Sequence, residues 1–308
     1  MEFEWPLVFF TVLTQMAVGA FIFYWWSQGG LTAYTAGAAG GSGQAAGGPS
    51  AFNGGLIILV IVQALALGVS LLHLGHPLNA YRALIHLKTS WLSREVLLTG
   101  FFFAALAACN FWAGFRRRVF AMPLTALLGV IAIMTSGMIY KLPARPAWNS
   151  LWPMVSFYLT AWLAGVPLGV LVTAREISPG NGFRQPVALP LAAAREGEGN
   201  LPAAVSGSAG RLLLGGIAAS VVLNILYLST LAAGRPEAAA TLGNILVSPL
   251  FWLRAVLGWL LPGVLLLIRE RRDLRGILLL LALVVLGEIL GRAVFYGTVV
   301  PMGINQGM

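Results

Sequence analysis

The sequence predicts an all-α integral membrane protein, a bundle of eight transmembrane helices. Hydrophobic residues make up 58% of the 308 residues and charged residues only 9%, whereas a soluble domain has about 25% charged residues. Apolar runs of about 20 residues, long enough to cross a bilayer, recur along the chain. These runs lack the polar and apolar alternation of an outer-membrane barrel strand. We therefore expect one transmembrane anchor domain over residues 1–308.

The eight spans are predicted in order from the apolar runs. They are expected at about residues 6–26, 54–74, 95–113, 119–140, 151–172, 211–232, 249–268 and 276–298. The first run follows the acidic start Met1-Glu2-Phe3-Glu4. A secretory signal has a positive charge at that place, so the first span is expected to remain as a helix.

The connections between the spans are too short and too polar to form a soluble catalytic domain. Residues 27–52 are rich in glycine and contain no charge, which is typical of a flexible loop. Residues 173–210 form the longest polar segment and separate five helices from three. Within the spans, Gly165-x3-Gly169 and Gly287-x3-Gly291 predict close contacts between helices.

The distribution of Lys and Arg predicts the orientation in the membrane. With eight spans, both termini lie on one side. The connections opposite the termini contain Arg116, Arg117, Arg118, Arg175, Arg184, Arg195, Arg269, Arg271, Arg272 and Arg275, against Arg82, Lys88, Lys141, Arg145 and Arg235 on the terminal side. The positive-inside rule places the larger group in the cytoplasm, and hence the termini on the periplasmic or outer side of a bacterial or archaeal cytoplasmic membrane. The net charge of +9 then reflects topology and anionic lipid, with no nucleic-acid partner.

One short window holds all the histidines of the protein. It lies between the second and third spans and contains His73, His76, Arg82, His86, Lys88, Arg94 and Glu95. Ionisable groups at the edge of hydrocarbon are costly, and a cluster of them indicates a site for protons, ions or a lipid-soluble substrate. Plainer interpretations remain open: a helix-end histidine bonded to a carbonyl, surface charges at Arg82 and Lys88, and a carboxylate at Glu95 that favours a helix start.

The sequence shows no sign of a redox centre or metal site of its own. Cys109 is the single cysteine and falls in an apolar run, where we expect a buried core residue. One cysteine cannot hold an iron-sulfur cluster. His73 and His76 are three residues apart on one helix end, so a haem held by two histidines from separate helices is not expected. Any redox centre would belong to a partner or to a diffusible molecule.

Several motifs spread along the sequence point to one family. They are Glu4-Trp5-Pro6-Leu7, His73-Leu-Gly75-x-Pro77, Leu92-Ser93-x-Glu95, Trp148-x-Ser150-x-Trp152, Trp252-x-Arg254 and Gly287-Glu288-x2-Gly291-Arg292-x2-Phe295-Tyr296-Gly297. In these motifs and their order the protein resembles the membrane-anchor subunit of dimethyl sulfoxide reductase. Two features depart from the family: His76, where members often have a small residue, and the charge-free glycine-rich loop.

The resemblance implies a haem-free anchor that oxidises menaquinol. In that family the electrons pass to a ferredoxin-like four-cluster iron-sulfur subunit and then to a molybdopterin catalytic subunit. The positions that matter for quinol correspond to His73 and Glu95, and with less support to Gly75 and Ser93. We expect His73 to accept a quinol proton because histidine titrates near neutral pH. Glu95 would accept or relay the other, and Arg82 would favour a quinolate or dock the partner.

A second charged group is expected deeper in the membrane. Glu288 and Arg292 are four residues apart on the eighth span, where an ion pair forms naturally, and Arg254 of the seventh span could join it. The group either locks the helices or takes part in a proton path or the quinol pocket. Two other functions also remain open: a polysulfide-reductase-type subunit that couples quinone chemistry to proton translocation, and a secondary transporter.

Overall fold

The structure, a computed structural model, describes residues 4–29, 54–72, 81, 83–176, 203–268 and 274–303. Throughout these ranges the regular secondary structure is helical. The helices are α1 (Trp5–Ser27), α2 (Leu56–Leu72), α3 (Trp91–Phe111), α4 (Ala121–Ile139), α5 (Trp152–Glu176), α6 (Ala203–Ala232), α7 (Pro236–Val247), α8 (Pro249–Ile268) and α9 (Leu274–Gly297). A single helical turn, Ala113–Arg116, follows α3.

Seven of the described helices are long and apolar enough to cross a membrane: α1, α3, α4, α5, α6, α8 and α9. The predicted all-helical, multi-pass architecture is confirmed. The described part of the second predicted span, α2, has 17 residues and is shorter than the others. The number of eight spans and the outward termini therefore stay predictions.

Helix α3 begins four residues earlier than the sequence suggested. Its first residue is Trp91, and the Ser90 hydroxyl caps it by accepting a hydrogen bond from the Ser93 amide at 3.3 Å. Glu95 is the fifth residue of the helix. The carboxylate therefore lies more than one turn inside the helix rather than at its start, and the interpretation of Glu95 as a residue that stabilises the helix start is wrong.

Helix α7 lies in a stretch that the sequence predicts to be a connection between the sixth and seventh spans. Pro236 occupies its first turn, where a proline fits because the missing amide hydrogen has no partner there. Ala238, Thr241 and Ile245 are buried and recur at helical spacing. This short helix therefore turns one face to α6 and to the segment after α9, where the Val300 amide donates to the Thr241 hydroxyl at 3.0 Å.

Helix α1 lies at the centre and packs against α2, α5 and α9, while α3 packs against α4 and α8 against α9. Small residues permit the closest approaches. Gly19 of α1 and Gly165 of α5 lie backbone to backbone, and Gly258 of α8 faces Gly287 of α9 in the same way. The close contacts predicted for both glycine pairs are confirmed, since Gly169 meets Phe23 and Gly291 meets the Arg254 side chain.

Helix α8 contains a π-helical turn, Ala255–Leu260, that starts directly after Arg254. A π turn adds a residue to the helix and rotates the part before it relative to the part after it. It places Gly258 against α9 and lets the Trp259 indole nitrogen donate to Ser220 of α6 at 3.1 Å. Arg254 thus lies at the irregular point of α8, facing the charged residues of α9.

Candidate functional site

The described structure contains only part of the histidine window. His73, His76, Gly75 and Arg82 lie outside the described residues. His86 and Lys88 are described and exposed. The other predicted site residues are all described: Ser93, Glu95, Arg254, Glu288 and Arg292. They form two groups, one on α3 and one between α8 and α9.

Glu95 is buried inside the bundle, with 4% of its surface exposed. The hydroxyl of Ser136, on the neighbouring helix α4, donates a hydrogen bond to the Glu95 carboxylate. Ser93 is also buried, two residues nearer the helix start. A carboxylate buried among membrane helices is costly, and a hydrogen bond from a polar side chain of a second helix offsets part of that cost. Ser136 was not expected from the sequence, because a serine within an apolar run is an ordinary packing residue.

The segment before α3 is held to that helix by Arg94. Its guanidinium donates to the carbonyls of Leu87 at 2.9 Å and Lys88 at 2.7 Å, and it lies over the Trp91 ring at 4.4 Å. These contacts fix the end of the window against the first turn of α3. Arg94 therefore has a structural role in positioning the segment that leads into Glu95.

The second group is connected differently from the sequence prediction. Arg254 lies 3.8 Å from the Glu288 carboxylate, and the Thr160 hydroxyl of α5 donates to the same carboxylate at 2.5 Å. Arg292 donates instead to Thr160 at 3.1 Å and to Gln15 of α1 at 2.8 Å. The ion pair expected between Glu288 and Arg292 is thus replaced, within the described ranges, by an Arg254–Glu288 pair that Thr160 links to Arg292.

This group joins four helices, because Gln15, Thr160, Arg254 and Glu288 come from α1, α5, α8 and α9. Gln15 and Thr160 were missed at the level of sequence. Each is a lone neutral polar residue in an apolar span, and only its burial distinguishes it from a polar residue that faces a headgroup. Such residues stabilise membrane helices by hydrogen bonds that water does not compete for.

An aromatic cluster lies close to both groups. Tyr140 follows α4, and its hydroxyl is 2.9 Å from the hydroxyl of Tyr296 on α9. The Tyr140 ring also contacts Trp148 and Phe295, which stack on each other at 4.9 Å. Tyr140 and Tyr296 are within electrostatic reach of both Glu95 and Arg292. The aromatic cluster is therefore near both candidate groups.

A pocket opens beside the second group, between α5, α6, α7, α8 and α9. Its volume is about 830 Å³ with the space at its mouth included, and Glu288, Arg254 and Thr160 contribute to its lining. Across the described ranges, no three His, Cys, Asp or Glu side chains come together as a metal site.

Comparison with known proteins identifies the family. Residues 1–298 match the family described as DMSO reductase anchor subunit (DmsC). The protein belongs to the DMSO reductase anchor subunit family. It is 27% identical over 311 residues to the YnfH chain of anaerobic dimethyl sulfoxide reductase from Escherichia coli, and 28% identical over 320 residues to the C chain of anaerobic dimethyl sulfoxide reductase from the same organism. Each comparison covers 98% of this protein and 96% of the relative.

A shorter part of the sequence is similar to a subunit of a different oxidoreductase. Over 91 residues the sequence is 36% identical to the C subunit of sulfite dehydrogenase from Allochromatium vinosum, which covers 27% of this protein and 28% of the relative. The resemblance noted from the sequence motifs is confirmed by the match to the DMSO reductase anchor subunit family. The protein is a multi-pass membrane anchor subunit of a DMSO reductase-type oxidoreductase complex.

Proposed function

We propose that this anchor subunit oxidises menaquinol near the outer membrane face and passes the electrons to an iron-sulfur partner subunit. That partner is a ferredoxin-like subunit with four iron-sulfur clusters. It passes the electrons to a molybdopterin catalytic subunit, which reduces the terminal substrate. The family supports the complex, since the protein matches the DMSO reductase anchor subunit along nearly its whole length. The burial of Glu95 in the bundle is the structural observation on which the quinol site rests.

Oxidation of one quinol to a quinone releases two electrons and two protons. The electrons leave to the partner, and the protons need acceptors within hydrogen-bond reach of the quinol hydroxyls. His73 takes the first proton because the imidazole titrates near neutral pH. Glu95 takes the second or relays protons outward, and the Ser136 hydroxyl orients its carboxylate. Gly75 and Ser93 bind or support the head group, and Arg82 stabilises a developing quinolate or docks the partner subunit.

The packing of α2 and α3 supports a shared site for His73 and Glu95. The two helices are in contact, and they are joined by the segment that contains the histidine window. His73 follows Leu72, the last described residue of α2. Helices joined by a short connection return to the same membrane face, so we expect both acceptors near one interface. A quinol can reach this depth from the hydrocarbon while the released protons reach the water.

Two variants test the proposal in the assembled complex. H73A and E95Q are assayed once with a menaquinol analogue and once with an artificial donor that reduces the soluble subunits directly. We expect quinol oxidation to fall about 100-fold or more, the usual effect of a lost proton acceptor. Activity with the artificial donor should remain. Undiminished quinol oxidation in either variant would remove that residue from the site.

The sequence offers a matched control for each variant. H86A removes an exposed histidine of the same window, and E237Q removes a half-buried carboxylate from the first turn of α7. Both should oxidise quinol at the unaltered rate. Equal losses in H86A and H73A would indicate damage to the window as a whole, against a specific role for His73.

One observation favours a second function, a quinone-coupled subunit that also translocates protons. The linked residues Gln15, Arg292, Thr160 and Glu288 form a continuous polar group inside the bundle. Reconstituted vesicles with a pH-sensitive dye decide between the two. Oxidation of menaquinol without net proton movement supports the simple anchor, and acidification on one side beyond the two scalar protons supports translocation.

A further inference from the structure

The connection between α3 and α4 contains three consecutive arginines, Arg116, Arg117 and Arg118. No aspartate or glutamate occurs in the sequence between Glu95 and Glu176, so these arginines have no acidic neighbour along the chain. The connection lies at the end of α3 away from Glu95. The positive-inside rule accounts for basic residues in such a connection, but it does not say what each side chain binds.

The three arginines differ in their contacts. Arg116 donates to the carbonyls of Cys109 at 3.1 Å and Asn110 at 3.4 Å, in the last turn of α3, where carbonyls lack partners within the helix. Arg117 and Arg118 are exposed. Across the described ranges, Arg117 makes one long hydrogen bond, from Nε to a backbone carbonyl at 3.4 Å, and the Arg118 guanidinium makes none. Arg116 therefore completes the end of α3, whereas the other two guanidinium groups are available to a ligand.

A row of aromatic rings indicates how deep this connection lies. Trp112 stacks on Phe115 with ring centres 6.0 Å apart, and Phe115 meets Phe120 edge to face at 6.3 Å. Trp112 is 65% exposed. Such rings at the ends of membrane helices lie at the boundary between hydrocarbon and headgroups. Arg117 and Arg118, which lie between Phe115 and Phe120 in the sequence, are therefore at the depth of the lipid phosphates.

The chemistry of the connection selects the class of ligand. A guanidinium group is suited to phosphate, because its planar fork donates two parallel hydrogen bonds to two phosphate oxygens. A zwitterionic headgroup adds a positive charge that two arginines repel, so a headgroup with a net negative charge is favoured. Val119 and Phe120, directly after Arg118, are each 56% exposed. A ligand that reaches the guanidinium groups therefore also meets apolar surface.

An anionic phospholipid has both a phosphate and an apolar part. We propose that Arg117 and Arg118 form a binding site for the headgroup of an anionic phospholipid, whose acyl chains pack on the exposed aromatic and aliphatic side chains beside them. An acidic protein or a nucleic acid in the water would pair with the guanidinium groups but leave those apolar side chains uncovered. The site does not depend on the proposed quinol oxidation, since it lies at the other end of α3 from Glu95.

Photolabelling of the intact complex tests the lipid site. The complex is placed in phosphatidylcholine nanodiscs with a small fraction of phosphatidylglycerol that carries a diazirine in one acyl chain, and labelled peptides are located by mass spectrometry. We expect label within residues 111–124. Each basic residue near an anionic lipid contributes about fivefold to the attraction, so R117Q/R118Q should reduce this label by about 25-fold. R117K/R118K keeps both charges and should recover most of it.

The matched control for the loss of two charges is K141Q/R235Q. Both residues are exposed and lie outside the α3–α4 connection, so residues 111–124 should be labelled as in the unaltered complex. If R117Q/R118Q does not assemble, R118Q replaces it, because the Arg118 guanidinium bonds to no described residue and its loss should not disturb folding. R118Q should reduce the label about fivefold.

Four results would each overturn the lipid site. The first two are unchanged label in R117Q/R118Q and an equal loss of label in K141Q/R235Q. The third is equal labelling of residues 111–124 by a phosphatidylcholine with the same diazirine, which would show that the headgroup charge is not recognised. The fourth is displacement of the label by polyglutamate, or by inorganic phosphate beyond the effect of sodium chloride at equal ionic strength. Polyglutamate would then indicate an acidic protein partner, and phosphate a site for free anions.

Discussion

At the scale of single residues, the charges inside the bundle are held by one ion pair and by neutral hydrogen-bonding partners. Glu288 receives a hydrogen bond from Thr160 and faces Arg254, while Arg292 donates to Thr160 and Gln15 and lies 3.7 Å from the centre of the Phe157 ring. Arg254 pairs with the carboxylate and Thr160 links Arg292 to it, so the group is held by an ion pair, hydrogen bonds and an aromatic face together. Loss of one member leaves another charge uncompensated in a medium where that is unfavourable.

Removing one partner of the Arg254–Glu288 pair should therefore destabilise the complex more than removing both. We expect R254Q to lower the stability by about 3–5 kcal/mol, the usual cost of an unpaired buried charge, reduced by the 14% exposure of Arg254. The double variant R254Q/E288Q should recover a large part of this loss. The measurement is the thermal midpoint of the detergent-purified complex.

R145Q is the control for these variants. Arg145 lies over the Trp148 ring at 4.7 Å but outside the helices, so its loss should shift the midpoint little. If the double variant is as unstable as R254Q or less stable, the two residues are not coupled and the pair does not lock the helices.

At the scale of helices, the bundle depends on close contact through glycine. Helices α1 and α5 approach at Gly19 and Gly165 until a side chain on either residue would meet the backbone of the other helix. Membrane helices gain their association from van der Waals packing and hydrogen bonds, since lipid is as apolar as the helices themselves. The close packing of α1 also keeps Gln15 within hydrogen-bond distance of Arg292 of α9.

An added methyl group at this contact should separate α1 from α5. G165A is expected to destabilise the complex by about 1–3 kcal/mol, as is typical of overpacking. G100A is the matched control, because a side chain at Gly100 of α3 meets nothing within 4 Å. There the gain in helix propensity should leave stability unchanged or raise it by about 0.5–1 kcal/mol. The measurement is again the thermal midpoint of the detergent-purified complex. Equal thermal midpoints for G165A and G100A would show that the α1–α5 contact is looser than described.

At the scale of the whole molecule, orientation decides which end of the bundle meets the iron-sulfur partner. The Lys and Arg distribution predicts that the connection after α4 lies outside and the one after α3 inside. Glu95 would then lie near the outer face. Glu95 belongs to the same half of the bundle as Glu288 and Thr160, since α3 and α5 begin and α9 ends at that side.

Labelling of introduced cysteines tests this orientation. In a C109A background, K141C should react with a membrane-impermeant maleimide in intact spheroplasts, and R117C should react only after lysis. Both positions are exposed, so access to the side chain does not limit either reaction. The opposite pattern would invert the molecule and move the proposed quinol site to the cytoplasmic face.

The sequence alone determined the class of the protein, its main spans and its family. Hydrophobic runs of bilayer length depend on local composition, and the motifs around Glu95, Arg254 and Glu288 depend on identity and spacing. Both kinds of signal are readable without coordinates. The buried position of Cys109 was also predicted correctly, because an apolar neighbourhood in the sequence became one in the fold.

Only the tertiary structure decided which side chains meet. The sequence suggested a pair of Glu288 with Arg292, four residues apart, which Arg254 could join; Arg254 does join it, but as the residue that pairs with Glu288, while Thr160 bonds to the same carboxylate. It likewise missed α7 and Ser136, the partner of Glu95. These outcomes depend on how each helix is rotated and how closely it packs, which glycine contacts and the π turn of α8 determine together. The pocket beside Glu288 is formed by five helices, and no single stretch of sequence contains it.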